Sequence, residues 1–332
     1  MKKLIDKVLL VVICTIASVS LASAQSYVPN SLLEEKILPV GEFDAINVAQ
    51  DFEVSLIKGS YSAKLVCDKL IAPYVQVYVR SKTLFVVYDE KSVPKEIKNQ
   101  YKGKSKPDPI LRVTVYAPQL NGISLADKTT LVATDEFDGN FFTLTLADNA
   151  QVNNLTVRSK AATVNMDKNS QAVLKLEVDE TMDISAKGNA KLKLMGMAES
   201  LQVNAAGNAE LTMAVIGKTS DINAGGSAKA SLSQSPDSLS VKLGGSANLR
   251  LNGQAPTLTL TTEKNSVLDA TDFPVKNLKA TMRGNSKADV RVEEVLGVSL
   301  TGGSSLFYSG TPVIQIEKIV KSTLAPAGTA LK

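Results

Sequence analysis

Histidine and tryptophan are both absent from the 332 residues of this chain, and cysteine occurs only twice. The lack of histidine removes the commonest general base and metal ligand, and the lack of tryptophan removes the largest aromatic side chain for stacking on sugars. Cys14 lies in an N-terminal apolar run, which leaves Cys67 as a lone cysteine in the rest of the chain. No intrachain disulfide is therefore expected there, and we predict no cofactor, no metal site and no catalytic residue.

The first 24 residues have the three parts of a secretory signal peptide. Lys2, Lys3 and Lys7 precede an uncharged apolar run over 8–21, and Ala22-Ser23-Ala24 places small residues before Gln25. A membrane anchor is the alternative, but this run is shorter than the roughly 20 residues that span a bilayer. We therefore predict an exported protein of the periplasm or cell surface, with no transmembrane segment after signal cleavage.

Charge is nearly balanced in the predicted mature chain. Residues 1–24 hold three of the 37 basic and one of the 33 acidic residues, so 34 and 32 remain, a net charge of +2. Affinity for nucleic acid depends on clustered positive charge. The composition therefore argues against a nucleic-acid partner.

A short motif recurs along most of the chain, as in Gly207-Asn208-Ala209 and Gly226-Ser227-Ala228. Its central residues, spaced by 19 or 20 positions, are Asn149, Asn169, Asn189, Asn208, Ser227, Ser246, Asn265, Asn285 and Ser304. A fixed period of this length indicates stacked structural repeats. We interpret the row as a structural ladder at one corner of each coil, in which amides and hydroxyls hydrogen-bond from coil to coil.

Apolar residues alternate with polar ones on both sides of each motif, for example Leu201 and Val203 before Asn208 and Leu211 and Met213 after it. A period of two is typical of strands with one buried face and excludes a helical repeat. We therefore predict an all-β fold, a single-stranded right-handed parallel β-helix or β-solenoid with about nine coils. A sandwich of hairpins is the alternative, but the regular spacing favours the solenoid. Leu211, Val241 and Leu249 should be buried, and Asn204 and Lys242 exposed.

The segments outside the repeats differ from them in composition and lack the recurring motif. Residues 41–120 hold nine of the 16 Phe and Tyr residues, which is enough bulk for a small β region that caps the solenoid. We predict a signal peptide over 1–24, a linker over 25–40, this N-terminal β region over 41–120, β-helix repeats over 121–310 and a C-terminal cover and tail over 311–332. The lysine-rich segment between Asp89 and Pro109 is interpreted as a solvated loop, with an anionic partner as the alternative.

Several stretches resemble a known family when they are read in order. They are Phe43-Asp44-Ala45-Ile46-Asn47-Val48, Phe52-Glu53-Val54-Ser55-Leu56-Ile57-Lys58-Gly59, Leu84-Phe85-Val86-Val87 and Val113-Thr114-Val115-Tyr116-Ala117-Pro118-Gln119-Leu120, followed by Ile123. With the Gly-Asn/Ser corners, they are similar to the auto-transporter adhesin head GIN domain family. That resemblance covers nearly the whole mature chain and implies an exported β-helix protein without catalytic residues. Ala126-Asp127-Lys128-Thr129 departs from the family's first corner.

An outward row of short polar residues provides the candidate binding face. Four positions before the motif residues come Thr145, Asn165, Ser185, Asn204, Asn223, Lys242, Thr261 and Thr281. A flat surface of hydroxyls and amides could hold a repetitive ligand such as a glycan, or an envelope or host protein. The alternative interpretation is that short polar residues simply suit solvent-facing strands.

Three functions compete. The first is a noncatalytic adhesin or binding scaffold of the cell envelope, and the second is a periplasmic structural or sensory protein that binds another envelope protein. The third is a polysaccharide-degrading enzyme, which needs carboxylates clustered across neighbouring coils. Asp148, Asp167 and Asp183 occupy different positions relative to their motifs, and Phe273 is the only aromatic residue between 152 and 305. These observations disfavour the enzyme.

Overall fold

The computed structural model describes residues 32–101 and 108–328. In these residues, 26 strands form one continuous sheet, which winds into a β-solenoid of about eleven turns. The predicted signal peptide lies outside the described residues. The helices found within 32–101 and 108–328 include none with the length and hydropathy of a membrane span.

Each coil contributes strands to two stacks, which we call stack A and stack B. In a central coil, β15 (Ser200–Ala205) belongs to stack A and β16 (Glu210–Ile216) to stack B. β15 pairs in parallel with β17 (Thr219–Ala224) of the next coil, and β16 pairs in parallel with β18 (Lys229–Gln234). Successive coils are thus joined by parallel ladders, and the chain advances by one strand spacing of about 4.8 Å per coil.

The strands of stack A are β6 (Thr83–Tyr88), β2 (Ala45–Val48), β8 (Gly122–Leu125), β11 (Phe141–Leu146), β15 (Ser200–Ala205), β17 (Thr219–Ala224), β19 (Ser238–Leu243), β21 (Ala255–Thr262) and β25 (Val313–Val320). The strands of stack B are β7 (Leu111–Ala117), β3 (Glu53–Lys58), β9 (Thr130–Ala133), β10 (Glu136–Asp138), β14 (Lys191–Met197), β16 (Glu210–Ile216), β18 (Lys229–Gln234), β20 (Asn248–Gly253), β24 (Ser305–Ser309) and β26 (Thr323–Pro326). Four long strands run from stack B into stack A, namely β12 (Gln151–Met166), β13 (Gln171–Ala186), β22 (Val267–Met282) and β23 (Lys287–Thr301).

The turn that joins a stack A strand to the stack B strand of the same coil contains the recurring motif, and we call it the ladder corner. Residue 207 of the corner over 206–209, and its equivalents in other coils, adopt a left-handed backbone with φ between 55° and 78°. Glycine occupies most of these positions because it adopts positive φ without steric cost. The Asn208 N–H donates to the Gly188 carbonyl over 2.7 Å, so the corner stacks on its neighbour as closely as the strands do.

The core is a continuous column of inward side chains between the two stacks. Leu211, Val241 and Leu249 are at most 2% exposed, whereas Asn204 and Lys242 are exposed. This confirms the predicted inward and outward positions. Burial of such apolar side chains supplies the main driving force for folding.

The N-terminal strands differ from the predicted domain boundaries. β1 (Leu33–Pro39), in the expected linker, pairs antiparallel with β4 (Ser62–Asp68). β2 and β3 already form a coil, because they pair in parallel with β8 and β9. The corner of this coil was not recognisable from sequence, since Gln50 and Asp51 supply its positive φ in place of glycine.

Further elements lie between β3 and β8. β6 pairs in parallel with β2 and antiparallel with β5 (Val75–Arg80), and β7 pairs in parallel with β3. A 3-10 helix spans Ala72–Tyr74. The segment predicted as a loop after Asp89 contains a second 3-10 helix, Glu90–Ser92, and a short helix α1, Lys95–Tyr101.

The segment expected to be a C-terminal cover forms a further coil instead. β25 pairs in parallel with β23, and β26 pairs in parallel with β24. The number of coils is therefore higher than the nine predicted, because coils at both ends lack the Gly-Asn corner. Among the described residues, β25 pairs with no strand on its outer side, and Ile316 is 61% exposed although it aligns with buried Val298.

Candidate binding face

The eight residues of the predicted binding face form one straight row on the outside of stack A. Strand pairing places them in register in the order Thr145, Asn165, Ser185, Asn204, Asn223, Lys242, Thr261 and Thr281. The row extends to Ser124 and Asn47 at one end and to Ser299 at the other. All of these residues are exposed or half-buried. Polar groups therefore recur about every 4.8 Å along the solenoid, and Asn223 Nδ2 donates to Asn204 Oδ1 over 3.3 Å.

A groove of about 580 Å³ crosses the C-terminal end of this face. Its lining includes Thr259, Lys279, Ser299 and Gln315, which come from four successive coils. Gly297 lies in register between Lys279 and Gln315, in a position where most other coils carry a side chain. A Cβ at Gly297 would meet only the Leu278 carbonyl oxygen, at 3.8 Å. The missing side chain therefore helps to open the groove.

The two stacks differ in the charge of their outer surfaces. Most ion pairs of the described residues lie on stack B and at the corners, including Lys191 with Glu210 and Lys287 with Asp289, and two more lie on β1 and β4. The outward positions of stack A contribute no ion pair within the described ranges, and most of them hold Ser, Thr, Asn or Gln. Exposed ion pairs add little stability. The difference in charge between the two stacks therefore matters mainly for the chemical groups that each surface presents to a ligand.

Arg158 on stack B illustrates the charged surface. Its guanidinium donates to Glu136 over 2.7 Å and to Glu177 over 2.8 Å. Hydrogen bonds from Lys175 and Arg158 hold the pKa of Glu177 below its ordinary value. These charges neutralise one another, which leaves few unpaired groups for a ligand.

The predicted structural ladder lies at the ladder corner. Asn169 Nδ2 donates to Asn149 Oδ1 over 3.2 Å, Asn189 Nδ2 to Asn169 Oδ1 over 2.8 Å and Asn208 Nδ2 to Asn189 Oδ1 over 3.0 Å. The row continues by register through Ser227, Ser246, Asn265 and Asn285. For these later residues the stabilising role stays a prediction.

Ser304 does not belong to this row. Lys287 pairs with Ser305, so Ser304 stacks on Ser286 and Gly303 takes the position next to Asn285. The Ser304 side chain is buried and its Oγ lies 3.3 Å from Ser322 Oγ. The physical reason is that this coil is one residue shorter, a difference that motif spacing alone does not reveal.

Asp269 and Asp289 are neighbouring carboxylates that sequence reasoning missed. They lie side by side in β22 and β23, and both follow their motif residues by four positions, which was the available signal. Asp269 accepts a hydrogen bond from Thr271, which holds its pKa below the ordinary value, and Arg250 adds to the effect. A general acid needs a raised pKa, so Asp269 lacks the property that acid catalysis requires. No group of three or more potential metal ligands occurs among residues 32–101 and 108–328.

Sequence reasoning also missed an aromatic pair at the N-terminal end of the binding face. Phe85 precedes Asn47 in the polar row, and Tyr78 lies opposite Phe85 on β5. The two rings are stacked with centroids 5.4 Å apart and planes inclined by 15°. The sequence shows the alternating pattern of both strands, but it does not reveal that β5 pairs with β6 and so brings Tyr78 to this face.

Together, the coils and corners define a parallel β-solenoid protein with one extended polar face. The chain belongs to the family described as "Putative auto-transporter adhesin, head GIN domain", which matches residues 42–235 and 213–312. The resemblance inferred from the sequence is thereby confirmed.

Three solved structures show similarity to the chain. A "putative adhesin" from Parabacteroides distasonis is 16% identical over 90% of this chain and 98% of its own, with a TM-score of 0.38. A "putative adhesin" from Parabacteroides merdae is 14% identical over 90% and 97%, with a TM-score of 0.35. A "putative lipid binding protein" from Parabacteroides distasonis is 12% identical over 90% and 98%, with a TM-score of 0.32. No curated protein shows significant similarity to the chain.

Proposed function

We propose that this protein is an exported, noncatalytic binding scaffold of the cell envelope, and that the outer face of stack A is its binding surface. The observation that carries the proposal is the unequal character of the two stacks. Stack A presents a long row of mostly hydroxyls and amides without ion pairs, while stack B carries many of the ion pairs among the described residues. A repetitive or extended ligand fits a surface whose polar groups repeat at each coil.

Family membership supports binding, because the family is described as an adhesin head domain. The N-terminal sequence supports export. The lowered pKa of Asp269 is the opposite of what an acid catalyst needs, which favours a noncatalytic role. A protein partner in the periplasm is the second candidate, because a strand surface with exposed amides also suits another polypeptide.

A matched pair of double variants tests the surface. Asn204→Asp with Asn223→Asp adds two charges to neighbouring residues of stack A, and Thr212→Asp with Ser231→Asp adds two charges to neighbouring residues of stack B in the same coils. We expect the first variant to lose retention on isolated cell envelopes and the second to keep it. Equal retention of both variants would remove the binding role from stack A.

Location is tested by protease treatment of intact cells, with a periplasmic protein as control. Degradation of this protein while the control survives is the result expected for a surface adhesin. Protection of both proteins would favour the periplasmic alternative, and crosslinking would then identify the partner.

A further inference from the structure

The N-terminal part of the binding face is free of charge on its outward side. The outward residues of β6, β2, β8, β11 and the stack A half of β12 are Thr83, Phe85, Val87, Ala45, Asn47, Gly122, Ser124, Phe141, Thr143, Thr145, Ala161, Thr163 and Asn165. We call this area the neutral strip. It lies upstream of Asp183, the first charged residue in these outward rows. A ligand here meets hydroxyls, amides and apolar groups, with no side-chain charge in the strip to neutralise. Exposed Arg80 of β5 lies in register with Thr83 at the edge of the strip.

Exposed aromatic rings lie at the N-terminal edge of the neutral strip and within it. The stacked pair of Tyr78 and Phe85 stands at its N-terminal edge, where Tyr78 is 42% exposed. Phe141, 61% exposed, lies on β11, four strand spacings or about 19 Å from Tyr78 along the stack. In this part of the solenoid the large apolar side chains at inward strand positions are buried. The exposed rings of Tyr78 and Phe141 therefore differ from the mostly polar residues at the other outward positions.

Between the rings, the outward positions of two neighbouring strands hold residues with a small side chain or none. Ala45 and Gly122 are neighbours in register, and Gly122 is followed by Thr143 in the next strand. Asn47 and Ser124 run beside them and provide hydrogen-bond donors and acceptors. Sites for small ligands combine aromatic surface with a few placed polar groups in this way.

We propose that the neutral strip binds an uncharged glycan, whose C–H faces stack on Tyr78 and Phe141 and whose hydroxyls bond to Asn47, Ser124 and Thr145. The lack of charge matches a neutral chain of hydroxyls. Single-stranded nucleic acid also stacks on aromatic rings, but it requires a positively charged groove, which the strip does not provide. The proposal rests on the proposed binding role of stack A and names its ligand class.

A glycan array that carries neutral and acidic glycans tests the ligand class with the purified protein. We expect wild-type protein to be retained on neutral glycans. Tyr78→Ala should weaken that retention about tenfold, as loss of one aromatic contact does, while Tyr78→Phe should remain within about twofold. Phe307→Ala is the matched control, because Phe307 is a half-buried outward aromatic residue on stack B and should leave binding unchanged.

Three results would overturn the proposal: no retention on any glycan, retention on acidic glycans alone, or equal binding by Tyr78→Ala and wild type. Thermal unfolding of each variant shows whether the ring pair serves only to stabilise the hairpin of β5 and β6. In that case Tyr78→Ala would lower the melting temperature, and the folded variant would bind glycans as well as wild type does. If the array is negative while the Asn204/Asn223 variant still loses retention on envelopes, stack A remains the binding surface and only the glycan assignment fails.

Discussion

Gly226 shows how a single residue type sets the geometry of a ladder corner. Its φ of 66° is left-handed, and a Cβ there would lie 2.8 Å from the Gly207 carbonyl oxygen. We expect Gly226→Ala to lower the free energy of unfolding by about 1–2 kcal/mol, the cost of left-handed backbone for an L residue. Urea unfolding measures this cost. Gly225→Ala is the control, because a Cβ at Gly225 meets nothing within 4 Å, and an equal loss in both variants would contradict the account.

Asn189 is a central residue of the amide ladder, where it donates to Asn169 and accepts from Asn208. Asn189→Ala removes both bonds, so we expect a loss of about 1 kcal/mol, given that an exposed hydrogen bond contributes about 0.5–1.5 kcal/mol. Thermal unfolding is the measurement. Ser246→Ala, in the same row, removes no side-chain hydrogen bond identified among the described residues and should change stability less. The reverse order would refute the stabilising role of the amides.

Cys67 is a fully buried free thiol, and burial raises the pKa of Cys67 from 9.0 to about 11. The folded protein therefore holds this proton more tightly than the unfolded chain does. Stability from this group is fully present below pH 9 and is lost as the pH rises towards 11. We expect Cys67→Ala to lose less stability than wild type between pH 8 and pH 10.5, measured by urea unfolding. An identical loss in the two proteins would mean that the thiol is not coupled to folding.

At the scale of the strand, inward and outward neighbours should respond very differently to truncation. Leu249 of β20 is buried between Ala230 and Leu268 of the adjacent coils, so Leu249→Ala should cost about 2–5 kcal/mol. Arg250, the next residue, is exposed and pairs with Asp272 over 3.1 Å, so Arg250→Ala should cost less than about 1 kcal/mol. Hydrogen exchange of β20 and its neighbours measures both effects. Similar costs would show that the assigned strand register is wrong.

The strand elements also show what the sequence could and could not reveal. The period of two around Asn208 and the spacing of the corners were sufficient to predict a solenoid and to identify Leu211 and Val241 as core residues. Coils whose corners lack the Gly-Asn motif, such as the coil with Gln50 and Asp51 at its corner, could not be counted from the sequence. Pairings between distant segments, such as β1 with β4, depend on the tertiary fold and leave no local signal.

The same distinction applies to the candidate site. The polar row from Thr145 to Thr281 follows from a fixed offset to the motif, so the sequence could predict it. Gly297 opens the groove only because strand register places it between Lys279 and Gln315. Tyr78 reaches the face only because β5 folds back on β6. Ser304 was misplaced because its coil is one residue shorter than the motif spacing suggests.

At the scale of the whole molecule, the solenoid has two different faces. Asn204 and Thr212 lie in the same coil, on stack A and stack B respectively, and both side chains are exposed. A probe placed at each of these two positions therefore samples one face each, at the same level of the solenoid and with similar exposure.

Site-specific photo-crosslinking in producing cells tests whether stack A is the binding surface, with p-benzoylphenylalanine placed once at residue 204 and once at residue 212. We expect a crosslinked adduct from position 204 and none from position 212. Adducts from both positions at equal yield, or from position 212 alone, would contradict the assignment of stack A as the binding surface.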